Sequence, residues 1–174
     1  IEELDRQSRA WAAGQPLTAA VYPRQIAFNV LPQIGGLKPE MPGFTSEEAK
    51  MLFESRKILG APDLRVAATC VRVPVFYAHS IALHLEFSAH MPPERAREIL
   101  AASPGIRVRD DLAQAEFPTP LDVQHGDDVQ VGRIRADSSV ENGLALWVVG
   151  DNIRKGAAQN AIQIAETMIA RKLV

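Results

Sequence analysis

Two runs rich in branched residues lie almost back to back in the middle of this 174-residue chain. They read LRVAATCVRVPVF over 64–76 and HSIALHLEFS over 79–88. Partial alternation of branched and polar residues favours β-strands, and the brief connection near Tyr77 and Ala78 favours a tight turn. The pair therefore predicts two neighbouring strands, and it constrains the fold more than any other part of the sequence.

Further strand-like segments occur on both sides of this pair. One covers 26–34 and is interrupted by Pro32, and three more cover 106–109, 128–135 and 144–149. Short segments of this kind, bounded by Gly, Pro and polar residues, are typical of strands in antiparallel hairpins. We expect one mixed, largely antiparallel sheet.

Helical patterns separate the strand-like segments. An amphipathic helix is predicted over 1–13, and T-S-E-E from Thr45 matches a capping box that opens a helix from about Ser46 to Leu59. The segment PPERAREILAAS predicts another helix, and a long closing helix is predicted from about 154 to 173. Helices that alternate irregularly with strands indicate an α+β fold, a single domain whose sheet is covered by helices.

The composition excludes several classes of protein. Nineteen basic and twenty-one acidic residues leave a net charge of -2 without a long run of either sign, so nucleic-acid binding has no support. No apolar stretch reaches about 18 residues and the start is charged, which predicts neither a membrane span nor a signal peptide. The single cysteine, Cys70, predicts no disulfide and no zinc motif, and the cytoplasm is the expected location.

Arg72 and His79 are two candidates for chemistry, seven residues apart across a strand, a turn and the start of the next strand. The planar guanidinium of arginine grips a carboxylate with two parallel hydrogen bonds, although an internal ion pair would use it equally well. A histidine transfers protons near neutral pH, although a single histidine at a strand start also serves structural roles. Both alternatives stay open on the residues alone.

Other polar positions also allow two interpretations. Glu47 and Lys50 lie three apart in the first turn of a predicted helix, where they form a solvated pair or contact a ligand. Cys70 has no activating partner in the sequence, which favours a buried small residue over a nucleophile. Asp151 and Asn152 precede the closing helix, where they cap it or bind a polar ligand, and capping is favoured for Asp151.

Five segments together resemble aspartate-semialdehyde dehydrogenase, in the order of that family and over nearly the whole chain. They are RQIAFNVLPQI (24–34), EEAK with ESRKIL (47–59), CVRVPVFYAHS (70–80), VGRIRADSS (131–139) and LWVVGDNIRKGAAQNAIQIAE (146–166). The most specific combination is CVRVPV followed by HS, with DNIRKGAA farther along the chain. The chain thus resembles the catalytic and dimerisation half of that enzyme.

The resemblance implies a reductive dephosphorylation. In this family a cysteine thiolate attacks L-aspartyl 4-phosphate, phosphate leaves, and hydride from NADPH converts the thioester to L-aspartate 4-semialdehyde. The reaction is a step towards lysine, threonine and methionine, and the implied cofactor is NADP. The implied fold is the glyceraldehyde-3-phosphate-dehydrogenase-like C-terminal domain.

The resemblance also assigns roles to residues, position by position. His79 would be the general acid/base, and Arg72 would hold the carboxylate of the substrate. Glu47 would meet the substrate's ammonium group, and Lys50 would contact the departing phosphate. Asn152 would lie against the nicotinamide end of the cofactor, and no metal is implied.

Two positions beside the histidine depart from the family pattern. The family usually has glycine where Ala78 stands, and an acidic residue is common where Ile81 stands. The reacting groups are nevertheless present. The turn is therefore where this chain is expected to differ.

Several parts of the family are expected before Ile1, where the sequence begins partway through a helical pattern: the nucleophilic cysteine, its neighbouring asparagine, the substrate-binding glutamine and the glycine-rich nucleotide loop. Cys70 matches a different family cysteine. We therefore expect residues 1–174 to be the substrate-binding and dimerisation domain, inactive alone, with the helix over about 154–173 packed on the nucleotide domain. The outer face of its sheet is expected to form a homodimer, with a tetramer as the alternative.

Two other functions remain to be weighed against this one. The chain could belong to a non-catalytic paralogue, or to a module that acts only by dimerising. The related reductase that acts on N-acetyl-glutamyl phosphate uses the same acyl-phosphate chemistry, but the strings CVRVPV and DNIRKGAA favour the aspartyl enzyme.

Overall fold

A computed structural model describes all residues from 1 to 174. The chain forms two compact units, Ile1–Phe76 and Tyr77–Val174. Each unit is described by itself below. None of the helices has both the length and the apolar character needed to cross a membrane.

The first unit contains two helices, α1 (Glu2–Ala12) and α2 (Ser46–Leu59). The side chain of Gln7 on α1 is completely buried, and its Oε1 accepts hydrogen bonds from the amides of Ile26 (3.1 Å) and Ala27 (2.9 Å). A buried amide oxygen that satisfies two backbone donors avoids the desolvation cost of leaving them unpaired. Gln7 thereby fixes the irregular segment after α1 against the helix.

The start of α2 is the predicted capping box. The hydroxyl of Thr45 accepts from the amide of Glu48, and the carboxylate of Glu48 accepts from the amide of Thr45 at 2.9 Å. Gly60 ends the helix in the left-handed conformation, with φ of 61°. Both ends of α2 are therefore encoded locally, and the predicted bounds are confirmed.

The prediction of strands over 26–34 and 64–76 is wrong. These segments share only one isolated antiparallel bridge, in which Leu31 and Arg72 exchange backbone hydrogen bonds of 3.0 and 2.9 Å. Pro32 follows the first bridge residue directly and Pro74 lies two positions beyond the second. Because proline has no amide hydrogen, Pro74 cannot make the next ladder bonds, opposite Asn29. On the other side, the amide of Cys70 donates to Glu48 Oε1 rather than to a strand partner.

The second unit is built on a four-stranded sheet in the order β1-β4-β3-β2. The strands are β1 (His79–Glu86), β2 (Ile106–Val108), β3 (Val129–Asp137) and β4 (Gly143–Gly150). β4 pairs antiparallel with β1 and β3, and β2 pairs parallel with β3. The prediction of an α+β fold with a mixed, largely antiparallel sheet is confirmed.

One face of this sheet is covered by α3 (Pro93–Ala101). Ala96 on α3 packs with Val131 and Ile134 from β3 and with Leu144 and Leu146 from β4, and all five are buried. A four-residue helix, α4 (Pro120–Val123), follows β2. The apolar core of the unit therefore lies between α3 and the two central strands.

The closing helix differs from its prediction in its first turn. Residues Arg154–Ala158 form a π-helical turn, and the α-helix α5 follows over Gln159–Ala170. The amide of Gly156 bonds to the carbonyl of Asp151 at 2.9 Å, five residues back. No residue of α5 is buried. The predicted helix is thus present, but it begins with a wider turn and carries an uncovered apolar surface.

Candidate active site

His79 lies exposed at the first position of β1, in the second unit. The residue before it, Ala78, has a φ of 72°, in the left-handed region that glycine adopts more readily. The side-chain Oδ1 of Asn152 accepts a hydrogen bond from the amide of Ala78 at 3.1 Å. This bond closes the turn immediately before the histidine.

Asp151, the neighbour of Asn152, is a buried carboxylate that accepts bonds only from backbone amides. Its Oδ1 accepts from Ile153 and Arg154, both at 2.8 Å, and its Oδ2 accepts from His125 at 2.9 Å. The amide of Arg154 makes the largest contribution to lowering the pKa of Asp151, and these bonds together outweigh the burial that would raise it. The predicted cap at Asp151 is present, and it also holds a second loop.

That second loop reaches the turn before the histidine. His125 has a φ of 64°, and its ring centroid lies 5.6 Å from that of Tyr77, with the ring planes 55° apart. Aromatic rings at this separation attract each other beyond the area that they bury. Tyr77 and Ala78 are therefore each tied, directly or through His125, to residues 151–152. Sequence reasoning missed this connection, because nothing in the spacing links His125 to Asp151.

Glu47 and Lys50 lie in the first unit, in the first turn of α2. Their side chains form an ion pair of 3.2 Å, and both are partly exposed. A pair three residues apart on a helix surface is easily separated, since exposed ion pairs contribute only about 0 to 1 kcal/mol. The carboxylate of Glu47 and the ammonium group of Lys50 can therefore separate, and each can then pair with a charged group of a ligand.

Arg72 also lies in the first unit, and its guanidinium forms no ion pair with any carboxylate of the chain. Its Cζ lies 5.1 Å from the centre of the Tyr22 ring, and its backbone pairs with Leu31. The internal ion pair that the residue type allows is thus not what holds this side chain. The guanidinium of Arg72 is half-buried and stacked on a ring, and its N–H donors remain able to bind a carboxylate or another anion.

The environment of Cys70 disfavours a thiolate. Burial raises the pKa of the thiol, and the carboxylates of Glu48 and then Glu47 raise it further. The Cys70 amide donates to Glu48 Oε1 at 3.1 Å, which fixes the backbone two residues before Arg72. Cys70 is therefore part of the support of Arg72 rather than an activated nucleophile.

The structure joins the candidate residues within each unit. Glu47 and Lys50 are in direct contact in the first unit, where Arg72 also lies. His79 and Asn152 are joined through the Ala78 amide in the second unit. No three His, Cys, Asp or Glu side chains of the chain come close enough to hold a metal ion.

The sheet face opposite α3 carries a pocket with a volume of about 430 Å³. Ala82 and His84 point into it, whereas the alternate residues of β1, Leu83 and Leu85, pack on the core cluster. We call it the arginine pocket, and it is lined chiefly by Ala82, His84, Phe117, Arg133, Arg135 and Trp147.

A bulge in β3 determines which side chains line the arginine pocket. The pairing with β4 shifts register between Gly132 and Arg135, and Arg133 takes a φ of 57°. The Asp110 carboxylate accepts from the amides of Arg133 (2.6 Å) and Ile134 (3.2 Å). The guanidinium of Arg135 donates to the Arg133 carbonyl at 2.9 Å, and neither arginine forms an ion pair.

With this geometry in view, the model of one protein family, the semialdehyde dehydrogenase dimerisation domain, matches residues 1–155. The chain belongs to this family. The resemblance drawn from the five sequence segments is therefore confirmed. The family domain spans both the unit with Arg72 and most of the unit with His79.

Similar proteins agree with the family. The aspartate-semialdehyde dehydrogenase of Aquifex aeolicus is 47% identical over 175 residues, which cover 100% of this chain and 51% of the relative. The structure of aspartate semialdehyde dehydrogenase II from Vibrio cholerae, complexed with ASA, has a TM-score of 0.90 and 43% identity, covering 97% of this chain and 49% of that one. The structure of aspartate semialdehyde dehydrogenase with NADP from Candida albicans has a TM-score of 0.67 and 27% identity, covering 86% of this chain and 47% of that one. The chain thus spans about half the length of these relatives.

Proposed function

We propose that this chain is the substrate-binding and dimerisation part of an aspartate-semialdehyde dehydrogenase. The whole enzyme would carry out the NADPH-dependent reductive dephosphorylation of L-aspartyl 4-phosphate to L-aspartate 4-semialdehyde. The observation that supports this most strongly is the 47% identity with the Aquifex aeolicus enzyme over the whole of the chain. The enzyme would act in the cytoplasm, in the biosynthesis of lysine, threonine and methionine.

Three charged residues of the first unit suit the three charged groups of an aspartyl phosphate. The guanidinium of Arg72, which has no carboxylate partner in the chain, would bind the substrate carboxylate with its two-donor fork. Lys50 would contact the phosphate, and Glu47 would contact the ammonium group. Their mutual ion pair of 3.2 Å holds the two side chains at the helix start until substrate separates them.

His79 would transfer the proton that the reaction requires. Reduction of an acyl phosphate to an aldehyde takes up one hydride and one proton and releases phosphate. The exposed imidazole of His79 would supply this proton in the reductive direction and accept it in the reverse direction. The nucleophile would be a cysteine outside this chain, because the pKa of Cys70 is raised.

NADP supplies the hydride when it is bound, and Asn152 is the residue of this chain that suits its nicotinamide end. The Oδ1 of Asn152 is used by the Ala78 amide, and its Nδ2 donates to no group of the chain. An amide donor of this kind fits the carbonyl of a carboxamide. The cofactor's remaining contacts would come from a nucleotide-binding fold that this chain does not contain.

The rest of the proposed enzyme would cover surfaces that this chain exposes. Ile162, Ile164 and Ile169 on α5 are more than half exposed. A nucleotide-binding domain packed against α5 would bury them. A second copy of the chain would cover the sheet face that carries the arginine pocket, to give a homodimer. Without that domain and its thiolate, residues 1–174 would not catalyse the reaction.

The test is an assay of the whole enzyme for phosphate-dependent oxidation of L-aspartate 4-semialdehyde with NADP. His79→Ala is expected to lower kcat by about 10² to 10⁴, the usual contribution of a positioned general acid/base. His90→Ala, an exposed histidine in the loop after β1, is the matched control and should keep full activity. A folded, dimeric wild-type protein without activity would instead favour a non-catalytic paralogue.

A further inference from the structure

We propose that Asp151 and Asn152 act together as positioning residues for His79. They follow β4 directly. Asn152 accepts a hydrogen bond from the Ala78 amide, inside the corner Tyr77–His79, and Asp151 accepts one from the His125 amide, beside that corner. The catalytic meaning of this arrangement rests on the function proposed for His79. The arrangement itself rests on the contacts within the second unit.

The backbone of His79 is held on both sides. On one side, the Ala78 amide donates to Asn152 Oδ1, in a turn with a positive φ that an alanine does not adopt unaided. On the other side, His79 begins the ladder opposite Gly150, two residues before Asn152. The direction in which the His79 side chain leaves the backbone therefore depends on Asn152.

Asp151 fixes the segment at His125, which lies beside the corner Tyr77–His79. Its carboxylate spans the His125 amide and the amides of Ile153 and Arg154. The His125 ring then lies against the ring of Tyr77. A buried carboxylate with three backbone donors defines one arrangement of these loops, because any other leaves several polar groups unpaired.

A π-helical turn follows these two residues, over Arg154–Ala158. Its bonds, Gly156 N to Asp151 O at 2.9 Å and Ala158 N to Ile153 O at 3.2 Å, span five residues. The inserted residue of such a turn is often found at functional sites. Here the wide turn separates residues 151–152, at the end of the sheet, from the regular helix α5. The two positioning residues therefore belong structurally to the sheet that carries His79.

The experiment uses the whole enzyme and two readouts that need no activity. Backbone amide exchange of the peptide containing Ala78 reports the bond to Asn152. Exchange of the imidazole C2 proton of His79, followed by mass spectrometry across pH, reports the surroundings of the imidazole. In Asn152→Ala we expect amide exchange at Ala78 to become roughly 2- to 10-fold faster, as expected for one lost hydrogen bond. We also expect the C2-proton exchange rate of His79 to change, because the direction in which its side chain leaves the backbone depends on Asn152.

Conservative variants of Asn152 distinguish its role in positioning His79 from its role in binding the cofactor. Asn152→Asp keeps an oxygen for the Ala78 amide but loses the Nδ2 donor. It should restore the exchange rate at Ala78 while raising the KM for NADP. Asn152→Ala should lower kcat as well, by about 10- to 100-fold, since a misplacement of about 1 Å can cost about 10²-fold. Asp151→Asn should change the C2-proton exchange rate of His79 in the same way. Asn160→Ala, at an exposed asparagine on α5, should change neither readout.

Each outcome decides the proposal. An unchanged exchange rate at the Ala78 amide, or at the C2 proton of His79, in Asn152→Ala would overturn it. A changed C2-proton exchange rate with undiminished kcat would overturn the positioning role and show that the two residues support the fold only. If the wild-type enzyme has no activity but both exchange readouts respond as expected, the proposed function falls while the holding of His79 by residues 151–152 stands.

Discussion

Ala78 shows how a residue with a side chain can occupy a turn whose φ is positive. The sequence singled out this position because the resembling family usually has glycine there. The structure gives the reason: φ is 72°, where a Cβ atom crowds the neighbouring carbonyl. The Asn152 side chain holds this conformation through the Ala78 amide. The chain therefore keeps the turn and tolerates the strain.

This strain predicts that Ala78→Gly stabilises the protein. We expect the free energy of unfolding to rise by about 0.5 to 1 kcal/mol, because relief of the left-handed strain exceeds the entropy that glycine loses on folding. Chemical denaturation measures the change. Ala136→Gly, on the exposed part of β3, is the control and should lower stability by about the same amount. Destabilisation by Ala78→Gly would mean that the turn is not strained.

At the scale of the element, α2 is the part of the fold that is best encoded by its own sequence. Thr45 and Glu48 form the capping box, and Glu48 also accepts from the Cys70 amide at 3.1 Å. The carboxylate thus supports a helix start and a distant backbone segment together. The Thr45 amide, and then the Cys70 amide, hold the pKa of Glu48 below its ordinary value of 4.5.

The lowered pKa of Glu48 predicts how stability depends on acid. A carboxylate whose pKa is lowered by folding stabilises the protein fully above pH 4.5, and this contribution is lost as the pH falls through the folded-state pKa. Glu48→Gln should therefore be less stable than the wild type near neutral pH, and the difference should shrink below pH 4.5. Urea denaturation over a pH series tests this. Glu54→Gln, exposed on the same helix, should keep the wild-type acid dependence.

The elements divide into those that the sequence could predict and those that it could not. The bounds of α2 and the positions of the last two strands were predictable, because capping residues and runs of branched residues act locally. The segments over 26–34 and 64–76 have the composition of strands, but Pro74 lacks an amide hydrogen and the Cys70 amide donates to Glu48, so their pairing is limited to the Leu31–Arg72 bridge. Among the candidate site residues, the sequence pattern singled out His79 and Asn152 but could not show their connection, which is the hydrogen bond from the Ala78 amide to Asn152. That contact spans 74 positions.

At the scale of the whole molecule, two exposed surfaces distinguish this chain from a self-contained domain. One is the apolar side of α5, none of whose residues is buried. The other is the sheet face with the arginine pocket, where two guanidinium groups without ion-pair partners stand near Trp147. Arginine and tryptophan are common at the centres of protein interfaces. This is the surface that we assign to the second copy in the proposed homodimer.

The assignment predicts that Arg135→Glu weakens the dimer of the whole enzyme. Reversing one charge at a complementary interface should raise the dissociation constant by at least about tenfold. Sedimentation equilibrium measures this change. Arg95→Glu is the control, because Arg95 lies on α3 and pairs with Glu98 on its own helix. An unchanged dissociation constant for Arg135→Glu would place the dimer contact on another face.

The bond between Asn152 and Ala78 also has a consequence for the order of events during protein synthesis. β1 and the turn before it leave the ribosome long before β4, their partner in the sheet. At about 5 to 20 residues per second, the 74 positions between Ala78 and Asn152 take roughly 4 to 15 s to translate. Until then β1 lacks its neighbour and the Ala78 amide lacks its acceptor. A nascent chain therefore exposes an unpaired apolar strand for several seconds. Chaperones are expected to bind the chain during this interval.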